Sequence, residues 1–212
     1  VVSLRQRVRL LPGSSVRLSF ATGMASNREV AQALAQKYHQ AGAAARAFAL
    51  SLTHVQSDFH HLGISADDAV LFERLASRVL GTDGSLRAPA SVLAANELGQ
   101  PGLWPHSISG DLPILLVKVS GADDAALVRQ ALQAQEYWRL KGLASETVII
   151  NEHPPSYLDE TQAALTSLLA SGPWRAWQGR PGGAWLLRRD ALTDAEDRLL
   201  EAVARVVLRS GT

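Results

Sequence analysis

From Pro113 onward the hydrophobic pattern changes period, and this change limits the possible folds more than any other feature. Pro113 closes the turn-rich lead-in His106-Ser107-Ile108-Ser109-Gly110-Asp111-Leu112 and opens the apolar run Ile114–Val117, followed by Lys118 and Val119. A short apolar run bounded by turn residues reads as a strand buried on both faces. Behind it, strand and helix patterns alternate. A helix over 122–140 faces Leu127, Ala131, Leu132 and Tyr137 or Trp138 inward and stops at Gly142. A strand Thr147–Ile150 precedes a helix over 157–170 capped by Ser156, and Gly182-Gly183 leads into a strand Ala184–Arg188. The last helix opens on the capping box Thr193-Asp194-Ala195-Glu196 and carries Leu199, Leu200, Val203 and Val207. Three strand–helix units in series imply a small parallel sheet with right-handed crossovers.

The front half follows other rules. Arg5, Arg7 and Arg9 alternate with Leu4, Val8 and Leu10, Pro12-Gly13 makes a turn, and Val16, Leu18 and Phe20 resume the alternation. This predicts a β-hairpin with one wet face, which needs helices or a further sheet to pack on because two strands alone are marginal in water. The pattern begins in mid-stride at Val1, as in a piece of a longer protein. Ser26-Asn27-Arg28-Glu29 reads as a capping box with Ser26 as N-cap, starting a helix to about Gln40. A second helix spans 43–62 with Phe48, Leu52, Val55, Phe59 and Leu62 at helical spacing. A third, capped by Ser65, buries Leu71, Phe72, Leu75 and Val79, and a short one follows over 89–97. The fold class is therefore mixed α/β: an N-terminal β-hairpin plus antiparallel helices, then a three-stranded parallel βαβαβα module. The domains fall at 1–24, 25–103 and 104–212.

Composition removes several classes of function. A net charge of +1 over 212 residues gives no electrostatic footprint for nucleic acid or an anionic membrane. Without cysteine there is no disulfide framework, thiolate nucleophile or thiolate zinc site. No apolar run reaches membrane-spanning length, so no direct membrane insertion is expected. Nor does a G-x-G-x-x-G follow a strand or a P-loop occur, and no cofactor is expected.

In open α/β sheets ligands sit beyond the carboxyl ends of the strands. There Asn151, Glu152 and His153 form the best-placed polar cluster, against the alternative that Asn151 and Ser156 only build the turn. Trp174, Arg175, Trp177 and Arg180 lie in a Gly/Pro-flanked loop and are candidates for a sugar-stacking platform, or else a lid folded over the core. His106, Ser109, Gly110 and Asp111 bring Ser, His and Asp together, but the spacing is no nucleophile elbow. They read as a structural turn in which Ser109 and Asp111 accept backbone N–H bonds and Gly110 takes a positive φ. His54, Asp58 and His61 share a helix face at a spacing that reads as a polar seam, so no metal site is assigned. No catalytic residue is assigned. The rival is a carbohydrate-active, phosphorylase- or hydrolase-like domain using Asp111 or Glu152. These lie at opposite ends of neighbouring strands, nearly 20 Å apart for a six-residue strand, against the roughly 5–9.5 Å that glycoside cleavage needs.

The run Gly102-Leu103-Trp104-Pro105-His106-Ser107-Ile108-Ser109-Gly110-Asp111-Leu112-Pro113-Ile114 resembles the W-x-H-G-I-S-G-D-L-P-I stretch of bacterial cyclic β-1,2-glucan synthases. So, collinearly, do Phe20–Gly23, Arg46–Leu50 with His54, His61–Ile64, Leu71–Ala76, Glu136–Leu143 and Val148–Glu152. Ser107 departs from the family's Gly, which implies a strained turn if that position needs a positive φ. The resemblance implies an internal segment of the soluble, glycoside-phosphorylase-like portion once classed with glycosyltransferase family 36. That portion belongs to an inner-membrane protein which transfers glucose from UDP-glucose, and it faces the cytoplasm. Its partners would be the β-sandwich and phosphorylase-like barrel of the same parent chain, and β-1,2-glucan. The hairpin would then be the tail of a β-sandwich, and the segment a non-catalytic structural or glucan-contacting module.

Overall fold

The computed structural model describes residues 3–40, 42–81, 83–154 and 159–210. The chain divides into two compact units, Val1–Val55 and Gln56–Thr212.

In the first unit, Pro12-Gly13 makes the expected turn. Gly13 takes φ +77°, the Ser14 N–H donates to the Leu11 carbonyl at 3.0 Å, and the Ser14 hydroxyl accepts from the Leu11 N–H. No strand pairing forms among the described residues on either side of it. The alternation that predicts a hairpin is in place, but its apolar row is exposed: Leu4, Val16 and Phe20 are all more than half accessible. A two-stranded ladder that buries neither face has too little apolar gain to offset chain ordering. Helix α1 (Arg28–His39) is capped one residue later than expected, by Asn27, whose Oδ1 accepts the Val30 N–H at 2.9 Å. Helix α2 (Ala43–Leu62) has the expected bounds. Phe48 and Leu52, at helical spacing on its first part, are exposed.

The second unit holds α3 (Ala66–Leu80), α4 (Ala90–Ala94), α5 (Ala125–Leu140), α6 (Glu160–Ala170) and α7 (Asp194–Val203) around strands β1 (Ile114–Val119), β2 (Glu146–Asn151), β3 (Ala184–Arg188) and β4 (Val206–Arg209). All strand pairs are parallel, in the order β3-β2-β1-β4. The parallel sheet is thus as the sequence implies, with one strand more than expected. The final helix stops at Val203, and Val207 lies not on it but in β4, opposite Leu116. Val203 and Val207 are four apart, so over so short a stretch helical spacing and a β-branched strand look alike.

β1 is central and every one of its residues is buried. Leu115, Val117, Val119 and Ile149 pack on one side with Phe72 of α3, Leu132 and Trp138 of α5, and Leu165 and Leu169 of α6. Ile114, Leu116, Val148, Ile150 and Trp185 pack on the other with Leu199 and Leu200 of α7 and with Leu103 and Ile108. Covering both faces is what requires an unbroken apolar run, and each fully buried Leu, Ile or Val contributes about 1.5–3 kcal/mol. Trp138 fits this core because its indole N–H donates to the Phe72 carbonyl at 2.8 Å.

Local signals position the helices. Ser65 and Asp68 form a capping box on α3, which turns Phe72 and Val79 inward but leaves Leu71, expected in the core, half exposed. Thr193 and Glu196 form the second box, on α7. α6 starts at Glu160 with Asp159 as N-cap, accepting from the Gln162 N–H; Ser156 and Tyr157, which the sequence reading placed at this start, lie outside the described residues.

Candidate functional site

The carboxyl edge of the sheet carries a charge network. Lys118, next to last in β1, is 3% exposed, and its Nζ lies 2.8 Å from Glu152 Oε1, 3.0 Å from Asp197 Oδ1 and 2.7 Å from Glu201 Oε1. Glu152 follows β2 directly, whereas Asp197 and Glu201 stand one turn apart on α7. Arg189 pairs with Asp197 at 3.3 Å, and Arg209 pairs with Glu201. Three cations thus meet three carboxylates. Burial by itself would lower the pKa of the Lys118 ammonium; the hydrogen bonds it donates to Glu152, Glu201 and Asp197 outweigh this and hold it above the ordinary lysine value. Carboxylates from separate segments do converge here, but each is committed to a cation. The cluster ties the β2 exit and α7 to the central strand.

Asn151 and His153, the other polar residues at the exit of β2, hydrogen-bond within the chain. Asn151 is 1% exposed; its Nδ2 donates to Gln162 Oε1 at 2.9 Å and its Oδ1 accepts from the His153 N–H at 3.0 Å. His153 Nδ1 lies 2.8 Å from the Pro154 carbonyl. Both polar atoms of the Asn151 amide are thus engaged within the chain. Asp58 pairs with Lys141 at 2.9 Å.

The 173–177 segment folds back on the core. Trp174 is 5% exposed and donates its indole N–H to the Leu168 carbonyl. Gly172, at φ +82°, makes this return possible, since a Cβ there would meet the Trp174 ring at 2.8 Å. Trp177 is half-buried under the Arg139 guanidinium, 4.4 Å from its ring centre. Arg175 and Arg180 are exposed. Of the two candidate aromatic rings, one is closed and the other has a face occupied.

The free aromatic face is elsewhere. The stretch Gln100–His106 forms a 3₁₀ turn that buries Leu103 but leaves Trp104 60% exposed. Trp104, Ser107, Ile108 and Ser109 line a shallow groove of about 360 Å³. Ser107 takes φ +62°, the one non-glycine residue with positive φ among the described residues, at the position where the resemblance has Gly. His106 Nε2 lies 3.1 Å from Glu196 Oε1, which fastens this segment to the start of α7. Hydrogen bonds from Thr193 and from His106 hold the Glu196 carboxyl below the usual range. The Ser109 hydroxyl accepts from the Asp111 N–H, Asp111 accepts from Gln100 Nε2 at 3.1 Å, and Gly110 sits at φ +77°. In Gly110, a Cβ would come within 2.9 Å of Leu103 Cδ1. The sequence reading passed over Trp104, although the Gly/Pro-rich context that nominated Trp174 and Trp177 also surrounds it. Asp111 precedes β1 and Glu152 follows β2, so in this parallel pair they lie at opposite ends, as expected.

Residues 1–41 match the family described as glycosyl hydrolase 94, supersandwich domain, a class of carbohydrate-active protein. Over its whole length the chain is 31% identical, across 215 aligned residues, to the cyclic beta-(1,2)-glucan synthase NdvB of Rhizobium meliloti (strain 1021). The chain aligns along its whole length with a segment of that synthase, as the collinear resemblance implies, and spans about 8% of that relative's length.

Proposed function

We propose that this chain is a non-catalytic, glucan-contacting module of a cyclic β-1,2-glucan synthase, whose parent makes cyclic glucan by glucosyl transfer from UDP-glucose. The observation that supports contact with glucan is Trp104. Its indole is 60% exposed and borders a groove with the hydroxyls of Ser107 and Ser109. A pyranose ring presents C–H groups on its face and hydroxyls at its rim, which an open indole beside serine hydroxyls complements. The other four tryptophans are buried or half-buried. The carboxylates at the sheet's carboxyl edge are neutralised by Lys118, Arg189 and Arg209, which favours a binding role over glycosidic-bond chemistry.

The exposed apolar row Leu4, Val16, Leu18 and Phe20 supports the proposed partners, because a facing sheet of a β-sandwich in the parent would cover such a row. The parent would be an inner-membrane protein with this module on its cytoplasmic-side soluble portion; no helix among the described residues is long and apolar enough to cross a membrane.

The test is titration of the chain with β-1,2-glucan by calorimetry, alongside Trp104→Ala. Saturable binding that weakens roughly tenfold, about 1.4 kcal/mol, in the variant is expected. Equal affinity in both proteins, or no binding at millimolar glucan, overturns the proposal.

A further inference from the structure

At the amino edge of the sheet, a groove of about 550 Å³ runs between the end of α3, the 110–113 turn and the start of β4. Its apolar wall includes Val79, Leu80 and Val203; its polar lining is Arg87, Arg205 and Asp111. Arg87 and Arg205 are 118 positions apart, yet the fold brings both to one groove, because the Leu86 carbonyl accepts the Val207 N–H at 2.7 Å and the Ile114 carbonyl accepts the Arg205 N–H at 2.9 Å. Arg87 donates one Nη2 bond to the Ala202 carbonyl at 3.0 Å, while its Nε–H is buried with no hydrogen-bond partner. Among the described residues neither guanidinium meets a carboxylate, unlike Arg188, Arg189 and Arg209 of the same unit. Asp111, the acid on the rim, accepts the Gln100 amide.

Two guanidiniums that line one groove without a carboxylate partner, beside apolar side chains, are arranged for an oxyanion. The groove is far larger than a bare ion, and its wall offers apolar contact to whatever the anion is attached to. We infer that this groove binds the phosphate group of a small phosphorylated molecule, with the oxyanion between Arg87 and Arg205 and its organic body along Val79, Leu80 and Val203. This goes beyond the glucan reading and does not depend on Trp104.

The 212-residue chain, ¹⁵N-labelled, is titrated with inorganic phosphate and separately with p-nitrophenyl phosphate, each against sodium chloride of matched ionic strength. The Nε–Hε resonances of Arg87 and Arg205 are followed. Saturable shifts at both are expected, weakened about tenfold or more in Arg205→Gln, a substitution at an exposed position. Tighter binding of the ester places its body on the apolar wall; equal binding identifies the free ion as the ligand. Shifts that never saturate or only match sodium chloride, or an affinity unchanged in Arg205→Gln, overturn the inference.

Discussion

Replacing Lys118 by Met tests what holds the carboxyl edge of the sheet. The methionine keeps the apolar stem in the core but removes the cation that three carboxylates approach within 3.0 Å. Breaking a buried ion pair by removing one partner costs about 3–5 kcal/mol, because the remaining charge is stranded in a low dielectric. Two features pull the value to the lower end. Glu152 is 29% exposed and reaches water, and Asp197 and Glu201 keep Arg189 and Arg209. We expect a loss of about 3 kcal/mol. With a urea dependence of about 2 kcal/mol per molar, this moves the unfolding midpoint down by roughly 1.5 M. Tryptophan fluorescence is the readout, since Trp138, Trp174 and Trp185 are buried in this unit. Combining Lys118→Met with Glu152→Gln removes the one carboxylate left without a cation, while Asp197 and Glu201 keep Arg189 and Arg209, and should recover part of the loss. A single-variant loss below about 1 kcal/mol, or no recovery in the combined variant, refutes the reasoning.

The pH dependence of the same position has a definite sign. The Lys118 ammonium is held above the ordinary lysine value, so its contribution is complete below that value and is lost as pH rises through the raised one. The stability gap between wild type and Lys118→Met should stay level from neutral pH up to the lysine range and close only above it, measured by urea midpoints across pH. Burial pushes the Glu146 carboxyl up, and the Gly182 N–H and the Trp185 indole beside it offset this only in part. Its stabilising effect is present below the ordinary glutamate value and lost as pH rises through the folded one. Glu146→Gln should therefore gain on the order of 1 kcal/mol at neutral pH and nothing in acid; a loss at neutral pH contradicts this. Ser107→Gly relieves the left-handed backbone at φ +62° and should raise stability by about 0.5–1 kcal/mol, seen as a higher melting temperature; a lower one means that the serine side chain holds the turn.

Where residues speak through local chemistry, the fold is legible in the sequence. The Ile114–Val119 run declares a strand covered on both faces, and Ser65 and Thr193 declare the starts of α3 and α7. What escapes is set by partners far along the chain. Val206–Arg209 is only four residues long, and what makes it a strand is β1, some ninety positions earlier. A lysine inside a buried strand announces that it needs counter-charges, but not that Glu152, Asp197 and Glu201 supply them. The loop around Trp174 and Trp177 has the composition of an exposed platform, yet Gly172 turns it back and Leu168 offers a carbonyl to the Trp174 indole. Trp104, in similar company, stays open because Leu103 beside it takes the place in the core. The Ser107 departure from glycine was readable as strain, and the positive φ is there.

The most direct measurement of the central claim is the indole N–H region of a two-dimensional NMR spectrum during titration of the chain with β-1,2-glucan, since five tryptophans give five resolvable reporters. The account predicts that the Trp104 signal moves progressively and saturates while those of Trp138, Trp174, Trp177 and Trp185 stay in place. A stationary Trp104 signal, or movement led by Trp174 or Trp177, contradicts it.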